Sequence, residues 1–136
     1  MIPVAVFIDT SAMFAFLDAD DEHHAAAAET WRRLDHDTAT LVTHNYVLIE
    51  AAALIQRRLG GEALRDFMEA VVPLLAVVWI GRDLHQAAAA ALLMSGRRRV
   101  SLVDCASFEV MRRAGIREFF AFDPHFDEMG FAPFER

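Results

Sequence analysis

Four carboxylates in this sequence interrupt apolar surroundings. Asp9 ends the apolar run over residues 4–8 in VAVFIDTSAMFAF, and Asp123 ends a second apolar run in FAFDPHF. Glu50 closes THNYVLIE, and Asp104 lies within SLVDC. Each has a structural use when taken alone. An aspartate after a strand forms turns or caps a helix, a glutamate within a helix faces solvent, and an aspartate in a first turn complements the helix dipole. Their joint placement points elsewhere: two strand-end acids and two helix acids lie on elements whose ends should converge on one edge of a sheet. Converged, half-buried carboxylates repel one another and must take up protons or a cation. Oxygen ligands without a cysteine or histidine cluster favour a hard divalent ion, Mg²⁺ or Mn²⁺. Such an ion suits hydrolysis of a phosphodiester, because it eases formation of hydroxide and offsets charge building on phosphate oxygens.

The elements that must position these acids alternate along the chain. Strands are expected at residues 4–8, 40–43, 76–80 and 118–122, with a short edge strand within 131–134. Helices are expected at about 12–18 with Ser11 as N-cap, from Asp20 or Asp21 to Asp35, and over 45–59 with Gly60-Gly61 as the stop. Further helices are expected over 62–72, ended by Pro73, over 82–95, and over 101–114, where Ser101 caps and Asp104 is the third residue inside. Strand–helix alternation implies right-handed crossovers and a mainly parallel sheet of four to five strands covered on both faces, a three-layer α/β/α sandwich. No linker or repeat divides residues 1–136, which are read as a single domain. In such sheets, sites form beyond the carboxyl ends of the strands, where Asp9 and Asp123 fall.

Composition narrows the function classes. Hydrophobic residues make up 55% of 136 residues, with 11 phenylalanines, so the chain can bury a substantial core. No apolar run reaches the ~20 residues that span a bilayer, the N-terminus lacks a basic leader pattern, and the single Cys105 has no internal disulfide partner. These features point to a soluble, cytoplasmic protein. The net charge of −7 argues against a general nucleic-acid coat. All 13 basic residues are arginine, however, and Arg97-Arg98-Arg99 is the densest run: either a solvated loop or a grip for phosphates.

FIDTSA, an isolated Glu50, SLVDC and FAFDPHF with a later GF, in that order across nearly the whole chain, resemble the PIN-domain family, and within it the VapC-type ribonuclease toxins. The resemblance implies a parallel sheet between helices and Mg²⁺- or Mn²⁺-dependent cleavage of RNA. It also implies homodimers and silencing by a partner antitoxin protein. It places Asp9 and Asp104 at the metal, Glu50 as the second acid and Asp123 as the fourth, with Asp127 close enough to compete for that role. Ser11 matches a hydroxyl that holds a carboxylate, a water or a phosphate. A catalytically idle module binding RNA or protein is the alternative; the intact set of acids separates the two.

Other residues carry less. Cys105 lacks a histidine partner and reads as core. His23 and His24 read as solvated, His44 as a residue near the predicted catalytic edge that is not expected to contact RNA, and His125 as a packing or surface residue. Asp18 and Asp20 lack the glycine and distant glutamate of a calcium loop. An aspartyl phosphatase would need a second aspartate at position 11, where Ser11 stands.

Overall fold

The computed structural model describes residues 4–135. Strand β1 (Ala5–Ile8) is apolar throughout and buried over its last three residues, as the centre of a two-sided sheet requires. It leads through α1 (Thr10–Leu17) and α2 (His24–His36) to β2 (Thr40–His44). Helices α3 (Asn45–Leu59) and α4 (Gly61–Asp66) then lead to β3 (Ala76–Val78). Helices α5 (Arg82–Ser95) and α6 (Leu102–Ala114) return the chain to β4 (Glu118–Phe120), and α7 (His125–Glu128) joins it to the edge strand β5 (Ala132–Pro133).

All five strands are parallel, in the order β3-β2-β1-β4-β5. This is the expected α/β architecture, with helices flanking a parallel sheet. The order decides where a site can form. The chain builds outward from β1 to β2 and β3, then crosses back to place β4 on the other side of β1. Connections therefore leave the carboxyl ends of β1 and β4 in opposite directions, and a crevice opens between them.

Element boundaries differ from the sequence-based expectation for local reasons. Helix α1 begins at Thr10 because Asp9, not Ser11, is its N-cap. Asp21 does not cap α2; its carboxylate accepts the His23 N–H at 2.8 Å and shapes the preceding turn. The helix expected to reach residue 72 ends at Asp66 and widens into a π turn over Phe67–Val71, followed by a 3₁₀ turn over Val72–Leu74. Pro73 lacks an N–H and its ring crowds the preceding turn, so the α-helical ladder cannot continue through it. Strand β3 stops at Val78, and the Ile80 N–H donates instead to Asn45 Oδ1 at 2.7 Å. Strand β4 stops at Phe120, two residues short of expectation. The short α7 was not anticipated. Its Phe126 is fully buried against the rings of Phe7, Phe108 and Phe119, at centroid distances of 5.9, 5.2 and 5.0 Å. Aromatic burial of this size pins α7 beside the sheet edge. Among the described residues, no helix is long and apolar enough to cross a membrane.

Candidate active site

Asp9 leaves β1 with its N–H donating to the Phe120 carbonyl at 3.1 Å, so the central strand stays tied to β4 up to the acid. Its Oδ2 accepts the Ser11 N–H at 3.3 Å and the Ser11 hydroxyl at 3.0 Å. That hydroxyl accepts the Phe122 N–H at 2.9 Å, which explains why β4 ends early. Ser11 therefore orients the carboxylate of Asp9 and joins the two sides of the crevice. Burial pushes the Asp9 carboxyl up to about 7; the Ser11 hydrogen bonds oppose this, and the charges of Asp104 and Asp123 add to it.

Asp104 is the third residue of α6, as expected, and closes a capping box with Ser101. The Ser101 N–H donates to Asp104 Oδ2 at 3.0 Å, and the Asp104 N–H donates to Ser101 Oγ at 3.1 Å. This reciprocal pair fixes the rotamer of Asp104. Burial raises its carboxyl above the usual aspartate range, the nearby Asp123 adds to the rise, and the Ser101 N–H and His125 oppose it.

Asp123 lies beyond β4, where its Oδ1 accepts the His125 N–H at 2.8 Å. His125, which sequence reasoning assigned to packing or the surface, belongs to this site. Its Nδ1 lies 2.8 Å from Asp123 Oδ1 and 3.5 Å from Asp104 Oδ2. Asp104, Asp123 and His125 each offer one ligand atom, all within 4.8 Å of one another. The readable signal was the DPHF run. A proline after an aspartate opens a helix, and a following phenylalanine anchors it, which turns the histidine back toward Asp123.

The remaining candidates separate. Asp127 is exposed on α7, outside that group. Glu50 is exposed on α3 and lines a groove of about 400 Å³ with Tyr46, Ile49, His85, Leu102 and Val103. It thus faces the first turn of α6, next to Asp104 in sequence, without joining the close group. Arg97, Arg98 and Arg99 line a cleft of about 510 Å³ together with Asp123, Pro124, His125 and Glu128. The basic run thus shares one cavity with Asp123 and His125. Cys105 is buried, as expected of a core residue.

This donor set fits a hard divalent cation. Two buried carboxyls are held above their ordinary range by burial and by neighbouring acid charge, and a buried imidazole nitrogen beside them has no hydrogen bond. Neutralisation by a cation relieves both strains.

A parallel sheet in this order, with acids gathered at its β1/β4 crevice, defines a class of protein that known relatives identify. The PIN domain family matches residues 6–132, and the chain belongs to that family. It is 35% identical over 129 residues to the 23S rRNA-specific endonuclease VapC20 of Mycobacterium tuberculosis, a match that covers 93% of this chain and 95% of the relative. The crystal structure of Mycobacterium tuberculosis VapC20, a Sarcin-Ricin loop cleaving toxin, superposes with a TM-score of 0.85 at 31% identity over 96% of this chain and 99% of that one. FitAcB from Neisseria gonorrhoeae shares the fold, with a TM-score of 0.63 at 12% identity over 96% of both chains.

Proposed function

We propose that this protein is a metal-dependent endoribonuclease that hydrolyses RNA phosphodiester bonds and serves as the toxin of a type II toxin–antitoxin pair. The observation that carries this reading is the closeness of Asp9, Asp104 and Asp123, whose charges act on one another, with Asp123 on the wall of the cleft that holds Arg97–Arg99. Asp9 and Asp104 would hold the ion, with Asp123 close enough to Asp104 to share it and Glu50 completing the acid set. A bound Mg²⁺ or Mn²⁺ would supply charge neutralisation and polarisation of water and phosphate.

The chain's own residues do the rest. Ser11 keeps the Asp9 carboxylate facing the crevice, and the Ser101 capping box does the same for Asp104. The three arginines supply the positive charge that an acidic protein needs to receive an RNA backbone, and guanidinium groups bind phosphate bidentately. A ribosomal RNA loop is the first substrate to test, because the 35% identical relative is a 23S rRNA-specific endonuclease. Apolar side chains left in solvent, Leu93 at 84% and Met94 at 88% exposure, support a homodimer seam or a bound antitoxin.

Incubation of the protein with 23S rRNA and Mn²⁺ tests the proposal. Discrete cleavage is expected, lost with EDTA and in Asp9→Asn. Cleavage that persists in that variant would assign the activity to another site or to a contaminant.

A further inference from the structure

The acid set alone does not account for His125. Its side chain is 12% exposed, and its Nδ1 is the one buried side-chain nitrogen among the described residues without a hydrogen bond. The 2.8 Å approach to Asp123 Oδ1 is close, but the atoms are not aligned as donor and acceptor. That oxygen already receives the His125 backbone N–H. An imidazolium paired with the carboxylates would turn its N–H onto an oxygen, because hydrogen bonds weaken steeply off line. Lone pairs that converge on a common third point do not point at each other, and they produce this misaligned closeness. The backbone of His125 is held by the buried Phe126 next to it in sequence and by the Asp123 turn.

We infer that His125 Nδ1 is a direct ligand of the divalent ion, and that it makes the site prefer Mn²⁺ to Mg²⁺. The inference rests on the metal-dependent reading above and adds to it a ligand and a choice of ion. Three ligand atoms within 4.8 Å of one another, one nitrogen and two carboxylate oxygens, form a mixed donor set. Mg²⁺ keeps to oxygen ligands and water, whereas first-row transition ions accept imidazole. Among those, Mn²⁺ best suits a site otherwise built of carboxylates.

The test uses the full chain stripped of metal and loaded with Mn²⁺. Pulsed electron paramagnetic resonance should show the ¹⁴N coupling of a coordinated imidazole in the unaltered protein, and none in His125→Ala or His125→Asn. Mn²⁺ affinity should fall about tenfold or more in His125→Ala. In His125→Asn, whose amide oxygen replaces Nδ1, Mg²⁺ should bind as before while the preference for Mn²⁺ disappears. Tight Mn²⁺ binding without ¹⁴N coupling, or with equal affinity in all three proteins, would overturn the role of His125 and leave the nuclease reading intact. Absence of Mn²⁺ and Mg²⁺ binding to the unaltered chain would overturn both.

Discussion

The Ser11 hydroxyl donates to Asp9 Oδ2 at 3.0 Å while accepting the Phe122 N–H at 2.9 Å. One small side chain thus holds an acid on the β1 side of the crevice and a backbone donor on the β4 side. Ser11→Ala removes a charge-assisted hydrogen bond and strands a partly buried N–H. Urea unfolding should show a loss of about 1–2 kcal/mol with an unchanged m-value. RNA cleavage should fall by roughly 10–100-fold because the Asp9 carboxylate is no longer held in place. Unchanged turnover would remove Ser11 from the machinery.

The buried Asp9 makes the metal-free protein weaker at high pH. Its carboxyl titrates at about 7 in the fold and at the ordinary 3.8 when unfolded. Between those values the unfolded chain has released a proton that the folded chain keeps. Stability therefore declines as pH rises from about 4 to about 7, by up to about 4 kcal/mol, and is level above that. Asn keeps the oxygen that caps α1 and accepts from Ser11, yet carries no charge. Asp9→Asn should therefore abolish cleavage while raising the metal-free melting temperature at pH 8 and barely changing it at pH 4. Thermal melts at the two pH values decide the matter. Added Mn²⁺ should stabilise the unaltered protein far more at pH 8 than at pH 5, since a proton competes for the same oxygens.

The sheet and most helices were legible because β1, β2 and α3 carry strong apolar periods and clear stops, such as Gly60 in the left-handed region at φ 91°. Asp104 at the third position of α6 was legible because Ser101 and Asp104 form a local capping pair. Less could be read where long-range contacts compete with local signals. The early end of β4 depends on Ser11, which is 111 residues away from Phe122. The DPHF run signals a turn, but the place of α7 depends on the ring cluster around Phe126, which gathers residues far apart in sequence. Glu50 illustrates the converse: its apolar flanks suggested a half-buried wall, but the helical period carries its side chain to the exposed face of α3.

Beneath the site, His44 is fully buried at the end of β2 and caps α3. Its Nδ1 accepts the Val47 N–H at 3.2 Å. The Ser107 hydroxyl donates to the Val103 carbonyl at 3.0 Å, so it must accept from His44 Nε2, 2.8 Å away. Both ring nitrogens are thereby assigned in the neutral form, and burial lowers the His44 pKa to about 4. The unfolded chain takes up this proton near 6.5, so the stability His44 contributes is complete above that pH and is lost as pH falls toward 4. Nuclear magnetic resonance should show the His44 ring unchanged from pH 8 to about pH 5 and in the Nε2–H tautomer. Titration near 6.5 would refute this assignment.

Arg98 and Arg99 are exposed on the wall of the cleft that holds Asp123 and His125, whereas Arg97 is engaged by Glu128. Two exposed guanidinium groups beside an acid cluster do little for the fold, since exposed charges contribute little to stability. Under the proposed function their value is in binding phosphate. In an Asp9→Asn background, chosen so that RNA is not cut during the measurement, replacing both by Gln should leave the melting temperature within a degree or two. RNA affinity should drop, and the slope of log K against log salt should become shallower by about 0.7 for each phosphate no longer neutralised. Weaker affinity with an unchanged salt slope would mean that the RNA backbone runs elsewhere on the protein.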